Sequence, residues 1–216
     1  MLLLSATHSG GDDMTEYADE FDNVAAEQSG DVMNIMAGII KAGEGMPVDQ
    51  QGNAAAYKDS KGIWTIGYGN TRIGGRAVRE GDVVSVAEAE GMMMDHIYQD
   101  VIPKLEKLDG YEDMNPVQQA AVGSTIYNLG SLNDFPSMKR AISKGLWGEA
   151  SYQLLTGDKD TDASKVFQQT GGRTLHAANA LKYGKLGRLE DFRMQFIGQD
   201  GKFDVGLVNS FDRRGV

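Results

Sequence analysis

The chain contains no cysteine, and only four prolines, three histidines and two tryptophans among its 216 residues. Without cysteine there is neither a disulfide nor a thiolate metal site, which fits a protein made in a reducing cytoplasm. His8, His96 and His176 have no mutual spacing suited to a metal, so no metal is expected and each is read as structural or exposed. No apolar run approaches the ~20 residues that cross a bilayer. The opening Met1-Leu-Leu-Leu is too short for a signal h-region and lacks a basic n-region, so neither Sec export nor membrane insertion is expected. Positive charge is scarce as well: 21 Lys and Arg stand against 31 Asp and Glu, a net charge of -10. That balance argues against nucleic acid as a partner. No Ser-His-Asp order or phosphate loop emerges, and Gly67-Tyr68-Gly69 lacks the rest of a nucleotide fingerprint, so no cofactor is expected. Asp158, Asp160 and Asp162 imitate the start of a calcium loop. However, Ala163 and Gln169 stand where glycine and glutamate are needed, and a solvated acidic turn is the better reading.

What the chain does have is concentrated between Glu44 and Thr71, in the stretch EGMPVDQQGNAAAYKDSKGIWTIGYGNT. Ala54 to Lys58 and Ile63 to Tyr68 flank the loop Ser60-Lys61-Gly62, and a three-residue hairpin loop wants glycine at its last, left-handed position. If Asp59 and Ile63 close that loop, strand alternation puts Asp59, Ile63 and Thr65 on one face. Thr65 then lies diagonal to Asp59 at roughly 7 to 8 Å by Cα, where one water could bridge carboxylate and hydroxyl. Upstream, Val32, Ile35, Met36, Ile39 and Ile40 recur at helical spacing, and the segment stops at Gly43. Glu44 therefore sits at a helix C-terminus, where the dipole and partial burial both raise a carboxyl pKa, as a general acid requires. An acid at a helix end, a second acid at a turn and a threonine two strand positions on form the pattern of a carbohydrate-cleaving site.

Glu44-Gly, Ala56-Tyr-Lys-Asp59 and Gly62-Ile-Trp-Thr-Ile-Gly-Tyr-Gly69 resemble the active-site signature of the phage lysozymes of the T4-lysozyme and lambdoid endolysin type, glycoside hydrolase family 24. Tyr127-Asn128-Leu129-Gly130 is similar to that family's central-helix motif, and weaker similarity continues to about Phe196. The resemblance implies Glu44, Asp59 and Thr65 as catalytic residues, with Glu44 protonating the leaving oxygen while Asp59 and Thr65 hold the attacking water. It implies hydrolysis of the β-1,4 bond between N-acetylmuramic acid and N-acetylglucosamine in peptidoglycan, with inversion, as in family members of the T4 type. Tyr57, Trp64, Tyr68 and Asn128 are the candidate substrate-binding residues, and Arg188, or Arg173, is the candidate partner of the catalytic acid. Two departures stand out. Fourteen residues separate Glu44 from Asp59 where the family usually has eight, which is expected to lengthen the loop Pro47 to Asn53. Asn70 occupies a position where the family commonly has histidine.

The rest of the chain reads as mainly helical. Ser85-Val-Ala-Glu88 is a capping box opening a helix with the stripe Val86, Ala89, Met93, Ile97, Val101, Leu105 and Leu108, which Pro103 should kink or break near Val101. Met92-Met93-Met94 reads as core filler. Asn115-Pro116 caps a small-residue helix ending at Gly130; Pro136 opens another closed by Gly145; Leu146 to Thr156 precedes Gly157; two more helical patterns follow. The expected fold is α+β, mainly helical and lysozyme-like, with a hairpin-containing lobe at about 31–84 and a helical lobe at about 85–197. Residues 1–30 form an acidic N-terminal extension and 198–216 a polar C-terminal tail.

The expected partner is bacterial peptidoglycan. Because wall polymers are anionic, a steered enzyme would be basic; here much of the acid lies in Asp12 to Asp31, whereas Lys58, Lys61, Arg72, Arg76 and Arg79 cluster around the hairpin. The leading reading is a monomeric endolysin that acts on the wall from the host cytoplasm after membrane disruption. Two alternatives stand beside it: a virion-associated lysozyme docked through its N-terminal extension, and a lysozyme-like module that binds without cleaving.

Overall fold

The computed structural model describes residues 32–43, 46–59, 61–157 and 172–187. The expectations for the N-terminal extension, the acidic turn after Gly157, the last helical pattern and the C-terminal tail lie outside these residues.

Helix α1 (Val32–Gly43) forms over the predicted periodic segment, and Ile35, Met36, Ile39 and Ile40 are buried along it. Near the centre of the molecule α1 packs on α4 (Pro116–Leu129), which is buried over Gln118 and from Ala120 to Ile126. Such a helix needs small residues on every side, because neighbours approach it all round. At Gly123 the fit is tight: an added Cβ would collide with the Met36 side chain and touch Leu105 Cδ2. Asn115 caps α4, and Gln118 closes a capping box with it, accepting from Asn115 N at 3.1 Å while Asn115 Oδ1 accepts from Gln118 N at 2.9 Å. Helices α5 (Pro136–Ile142), α6 (Trp147–Thr156) and α7 (Gly172–Tyr183) complete the helical lobe, with α7 lying against α6, α4 and α1. Buried polar groups there are paired. Ser151 Oγ donates to Ala178 O at 2.7 Å, and Gln118 Nε2 donates to Leu181 O at 3.1 Å.

Between the lobes, α2 (Val86–His96) opens on the predicted Ser85–Glu88 box. Its apolar stripe runs on through Ala89, Met93, Ile97, Val101 and Leu105, all buried. Met93 is buried and its neighbours Met92 and Met94 are packed partly buried against the core. Pro103 does not break this helix. A π-helical segment (Ile97–Val101) precedes a final α-turn, α3 (Ile102–Leu105), and Pro103 occupies the first turn of α3. The wider π turn removes the demand for the N–H that proline lacks, and the helix continues.

The smaller lobe is built from three two-stranded antiparallel ladders: β1 (Ala54–Ala55) with β6 (Val83–Val84), β2 (Tyr57–Lys58) with β3 (Trp64–Thr65), and β4 (Arg72–Ile73) with β5 (Arg76–Ala77). The strands are shorter than the apolar runs suggested. Ala56 N donates to Asp82 O at 2.9 Å in continuation of the β1–β6 register, and from Tyr57 on the chain pairs with β3 instead, so β1 and β2 are parts of one extended run that changes partner at Ala56. After Thr65 the chain turns back at once. Ile66 and Asn70 exchange both backbone hydrogen bonds, and Gly67 turns between them so close to α2 that an added Cβ would stand 2.9 Å from Ala89 Cβ. The architecture is the expected one, α+β and mainly helical, with hairpins in one lobe and helices in the other.

Candidate active site

The β2–β3 hairpin closes where the residues say it should. Asp59 N donates to Ile63 O at 3.0 Å, Gly62 N donates to Asp59 O at 2.9 Å, and Gly62 adopts φ +77°, a left-handed conformation cheap only for glycine. The Asp59 carboxylate locks the turn from inside. Its Oδ1 accepts from Lys61 N at 2.9 Å and from Ile63 N at 2.8 Å, while Oδ2 has no hydrogen bond among the described residues. The register pairs Tyr57 with Thr65 and Lys58 with Trp64, so Asp59, Tyr57 and Thr65 share a face. Thr65 is 3% exposed and its hydroxyl donates to Ile63 O at 3.1 Å, which leaves the Oγ1 lone pairs as acceptors.

The candidate substrate-binding residues divide. Tyr57 is half-buried beside this pair, and burial, then the negative charge of Asp59, holds its hydroxyl pKa above the ordinary value. Trp64 is half-buried, with Lys58 Nζ 5.3 Å from its ring centroid. Tyr68 is different. At 5% exposure its side chain is packed into the core beside the hairpin. Asn128 is half-buried in the last turn of α4. One residue that sequence reasoning passed over is its neighbour Tyr127, whose hydroxyl donates to the Tyr68 carbonyl at 2.6 Å and whose ring meets His96 edge-on at 4.9 Å between centroids. The available signal was a phenol one residue beyond the buried run Ala120 to Ile126, since a hydroxyl drawn into the interior must find an acceptor.

The long spacing before Asp59 is absorbed by a second hairpin. Ala55 N donates to Pro47 O at 3.0 Å, and Val48 bridges Ala54, so the insertion is pinched off at its base. Its tip repeats the Asp59 turn. Asp49 Oδ1 accepts from Gln51 N at 2.9 Å and Asn53 N at 2.8 Å, Gly52 has φ +81°, and Asp49 N donates to Asn53 O at 2.8 Å. One contact differs: Asn53 Nδ2 also donates to Asp49 Oδ2, at 3.3 Å. The expected longer loop is therefore a closed turn on a single bridge, signalled by the common spacing Asp-x-x-Gly at Asp49 and Asp59. Its base sets Pro47, three residues after Glu44, beside Ala55, four residues before Asp59. Glu44 itself and Arg188 lie outside the described residues, as does the side chain of Arg173.

The basic cluster of this lobe is partly spent on structure. Arg76 makes a two-pronged contact with Asp82, at 2.7 and 2.8 Å, and Arg79 N donates to Asp82 Oδ2 at 2.7 Å. Arg76 and then the Arg79 amide hold the Asp82 pKa down at about 2. Arg72 spends two guanidinium N–H groups on Gly75 O. Asn70, at the family's histidine position, is fixed through its backbone pair with Ile66, and its Oδ1 is shielded from solvent with no hydrogen-bond partner among the described residues. Among those residues no group of His, Asp and Glu could hold a metal ion, and no helix is long and apolar enough to cross a membrane.

Solved structures with the same fold include an endolysin from the Escherichia coli O157:H7 phage FAHEc1, at 22% identity and a TM-score of 0.53, covering 74% of this chain and 96% of the endolysin. A mutant of lysozyme from phage P22 also matches, at 22% identity and a TM-score of 0.51, covering 68% of this chain and 93% of that one. Among curated proteins none matches the chain in sequence. The family model Phage lysozyme matches residues 49–173, more than half the chain, a range that includes Asp59, Thr65 and Asn128 and begins after Glu44. The chain belongs to the phage lysozyme family, peptidoglycan-lysing enzymes of bacteriophages.

Proposed function

We propose that this chain is an inverting muramidase, cleaving the β-1,4 bond between N-acetylmuramic acid and N-acetylglucosamine, and that it serves as an endolysin in host cell lysis. The observation that carries the reading is the cross-strand placement of Asp59 and Thr65. Asp59 Oδ1 is tied to two amides, so Oδ2 is the oxygen left to meet a water; Thr65 Oγ1, on the same face, is the second acceptor. A water donating one hydrogen to each points an oxygen lone pair away from both, toward a sugar bound in the cleft. In the proposed reaction Glu44 gives its proton to the glycosidic oxygen as the bond to the anomeric carbon breaks. The water attacks that carbon from the opposite face and loses its proton to Asp59. Exchange with solvent then restores both carboxyl groups. Tyr57, on the same face as the pair, and Trp64, on the other face of the hairpin with Lys58, are the sugar-binding aromatics of this reading, and Asn128 contributes from the helical lobe. The pinched-off hairpin supports the assignment of Glu44, because the six additional residues before Asp59 need not push the two acids apart.

The test is release of reducing sugar from purified peptidoglycan by the intact chain and by Glu44→Gln, with product masses and the initial anomer recorded. The expected result is reducing N-acetylmuramic ends of α configuration from the parent chain, and a rate lower by at least roughly a hundredfold in the variant. Reducing N-acetylglucosamine ends, a β product, or undiminished release by Glu44→Gln would each overturn part of the assignment. No release from any wall type by the parent chain would overturn all of it.

A further inference from the structure

We infer that Tyr127 is a positioning residue for the reaction proposed above, a latch that sets the Asp59–Thr65 hairpin against the helical lobe. The inference rests on that proposed reaction and goes beyond it. Tyr127 stands in the last turn of α4, at the heart of the helical lobe, yet its hydroxyl reaches the backbone of the other lobe and donates to Tyr68 O at 2.6 Å. The acceptor is three residues beyond Thr65, within the turn that Ile66 and Asn70 close with two mutual hydrogen bonds. That turn is a stiff lever. Gly67 lies tight against Ala89 of α2, and the Tyr68 ring is in the core, so a shift of the Tyr68 carbonyl carries β3 and Thr65 with it.

The phenol is itself held. His96, at the end of α2, packs edge-on against its ring and is braced by Asp100, whose Oδ2 lies 3.1 Å from His96 Nδ1. Burial, and then the neighbouring hydroxyls of Tyr57 and Tyr68, keep the Tyr127 hydroxyl protonated, so it remains a donor through the physiological range. One side chain therefore ties together α4, the end of the inter-lobe helix and the turn behind the water-holding strand. It also precedes Asn128, so the same turn of helix that presents a candidate sugar contact fixes the opposite wall of the site. No phenylalanine could do this, because the contact is made by the oxygen.

The consequence is kinetic. Losing the latch leaves the sugar contacts in place and lets the Asp59–Thr65 pair drift relative to the scissile bond, which affects the transition state far more than ground-state binding. Tyr127→Phe is expected to lower kcat roughly tenfold with KM changed less than about twofold, when assayed well below its unfolding temperature. Met138→Ala, a buried truncation in α5, serves as the control. It lowers stability without touching the latch, and kcat is expected to stay within about twofold of the parent. His96→Leu removes the brace but keeps the hydroxyl, and is expected to lower kcat by a smaller factor in the same direction. It also keeps the question answerable should Tyr127→Phe fail to fold, since unchanged kcat in His96→Leu would then overturn the inference. Equal losses of kcat in Tyr127→Phe and Met138→Ala would reduce Tyr127 to a stability role, and an unchanged kcat in Tyr127→Phe would remove the latch altogether. An inactive parent chain would instead strike at the proposed reaction.

Discussion

His176 makes the helical lobe sensitive to acid, and the size of the effect can be worked from its burial. It lies in α7 among buried Leu175, Ala177 and Ala178, and loss of solvation lowers its pKa from 6.5 to about 4. A base whose folded pKa is depressed stays neutral in the native state while the unfolded chain takes up a proton. Below pH 6.5 unfolding therefore gains a proton that folding cannot hold, and stability falls with pH until the native group titrates near pH 4. Each pH unit of that interval costs about 1.4 kcal/mol, so the loss between pH 6.5 and pH 4 is roughly 3 kcal/mol from this one side chain, a large part of a domain's total stability. The assay is urea unfolding of the parent and of His176→Gln at half-unit steps from pH 7.5 to pH 4. The variant loses the contacts of the imidazole as well, which shifts its whole curve, so the readout is the slope rather than the offset. The parent should lose roughly 3 kcal/mol more than the variant across the window. The Asp82 pair acts separately. Its depressed pKa contributes stability above about 3.8 that disappears as pH falls through about 2. Parallel curves for the two proteins between pH 6.5 and pH 4 would refute the reasoning.

Gly123→Ala should destabilise the chain by roughly 1–3 kcal/mol in the same unfolding assay, because the new methyl meets Met36 and Leu105 in a packed helix contact rather than open space. Ile63→Asn should lower reducing-sugar release by roughly tenfold or more while the urea midpoint moves little, since Ile63 is 48% exposed and an asparagine there can occupy Asp59 Oδ2 as Asn53 occupies that of Asp49; full activity in that variant would mean that Oδ2 does not meet the water.

Local signals carried much of this fold. The α1 periodicity, the Ser85–Glu88 box, the Asn115-Pro116 start and the Asp59–Gly62–Ile63 turn each involve residues within a few positions of one another, and each appears as the sequence implies. The misreadings are tertiary. The extended run changes partner at Ala56, whose amide still meets Asp82, 26 residues away, and Gly67 brings its turn onto Ala89 of α2. Pro103 is tolerated because five preceding residues widen into a π turn, which no pattern in IYQDV announces. Tyr127 illustrates the same limit in the site: its hydroxyl acts 59 residues away, on a backbone carbonyl that has no sequence signature.

The paired turns at Asp49 and Asp59 separate what holds a carboxylate from what uses it. Both aspartates receive amides from the second and fourth residues after them, and both turns close on a left-handed glycine at the third. The grip is thus a property of Asp-x-x-Gly between strand arms, and it recurs wherever that spacing does. At Asp49 the carboxyl pKa is pulled down, first by the Asn53 backbone amide, with the Asn53 side chain and the Gln51 and Gly52 amides acting in the same direction against burial. The difference lies in the positions around the turn. Six residues after Asp59 stands Thr65, with a hydroxyl, where Asp49 has Ala55; four residues after it stands Ile63, with nothing to donate, where Asp49 has Asn53 closing off its second oxygen. Two residues before it stands Tyr57, where Asp49 has Pro47. A carboxylate oxygen left open on one face, with a hydroxyl acceptor diagonal to it, can orient a water; one capped by an amide opposite an alanine cannot. On the proposed mechanism the informative signature is therefore the pair formed by Asp59 and Thr65 across an apolar Ile63, not the aspartate at the turn, and the inserted hairpin is the internal comparison for it.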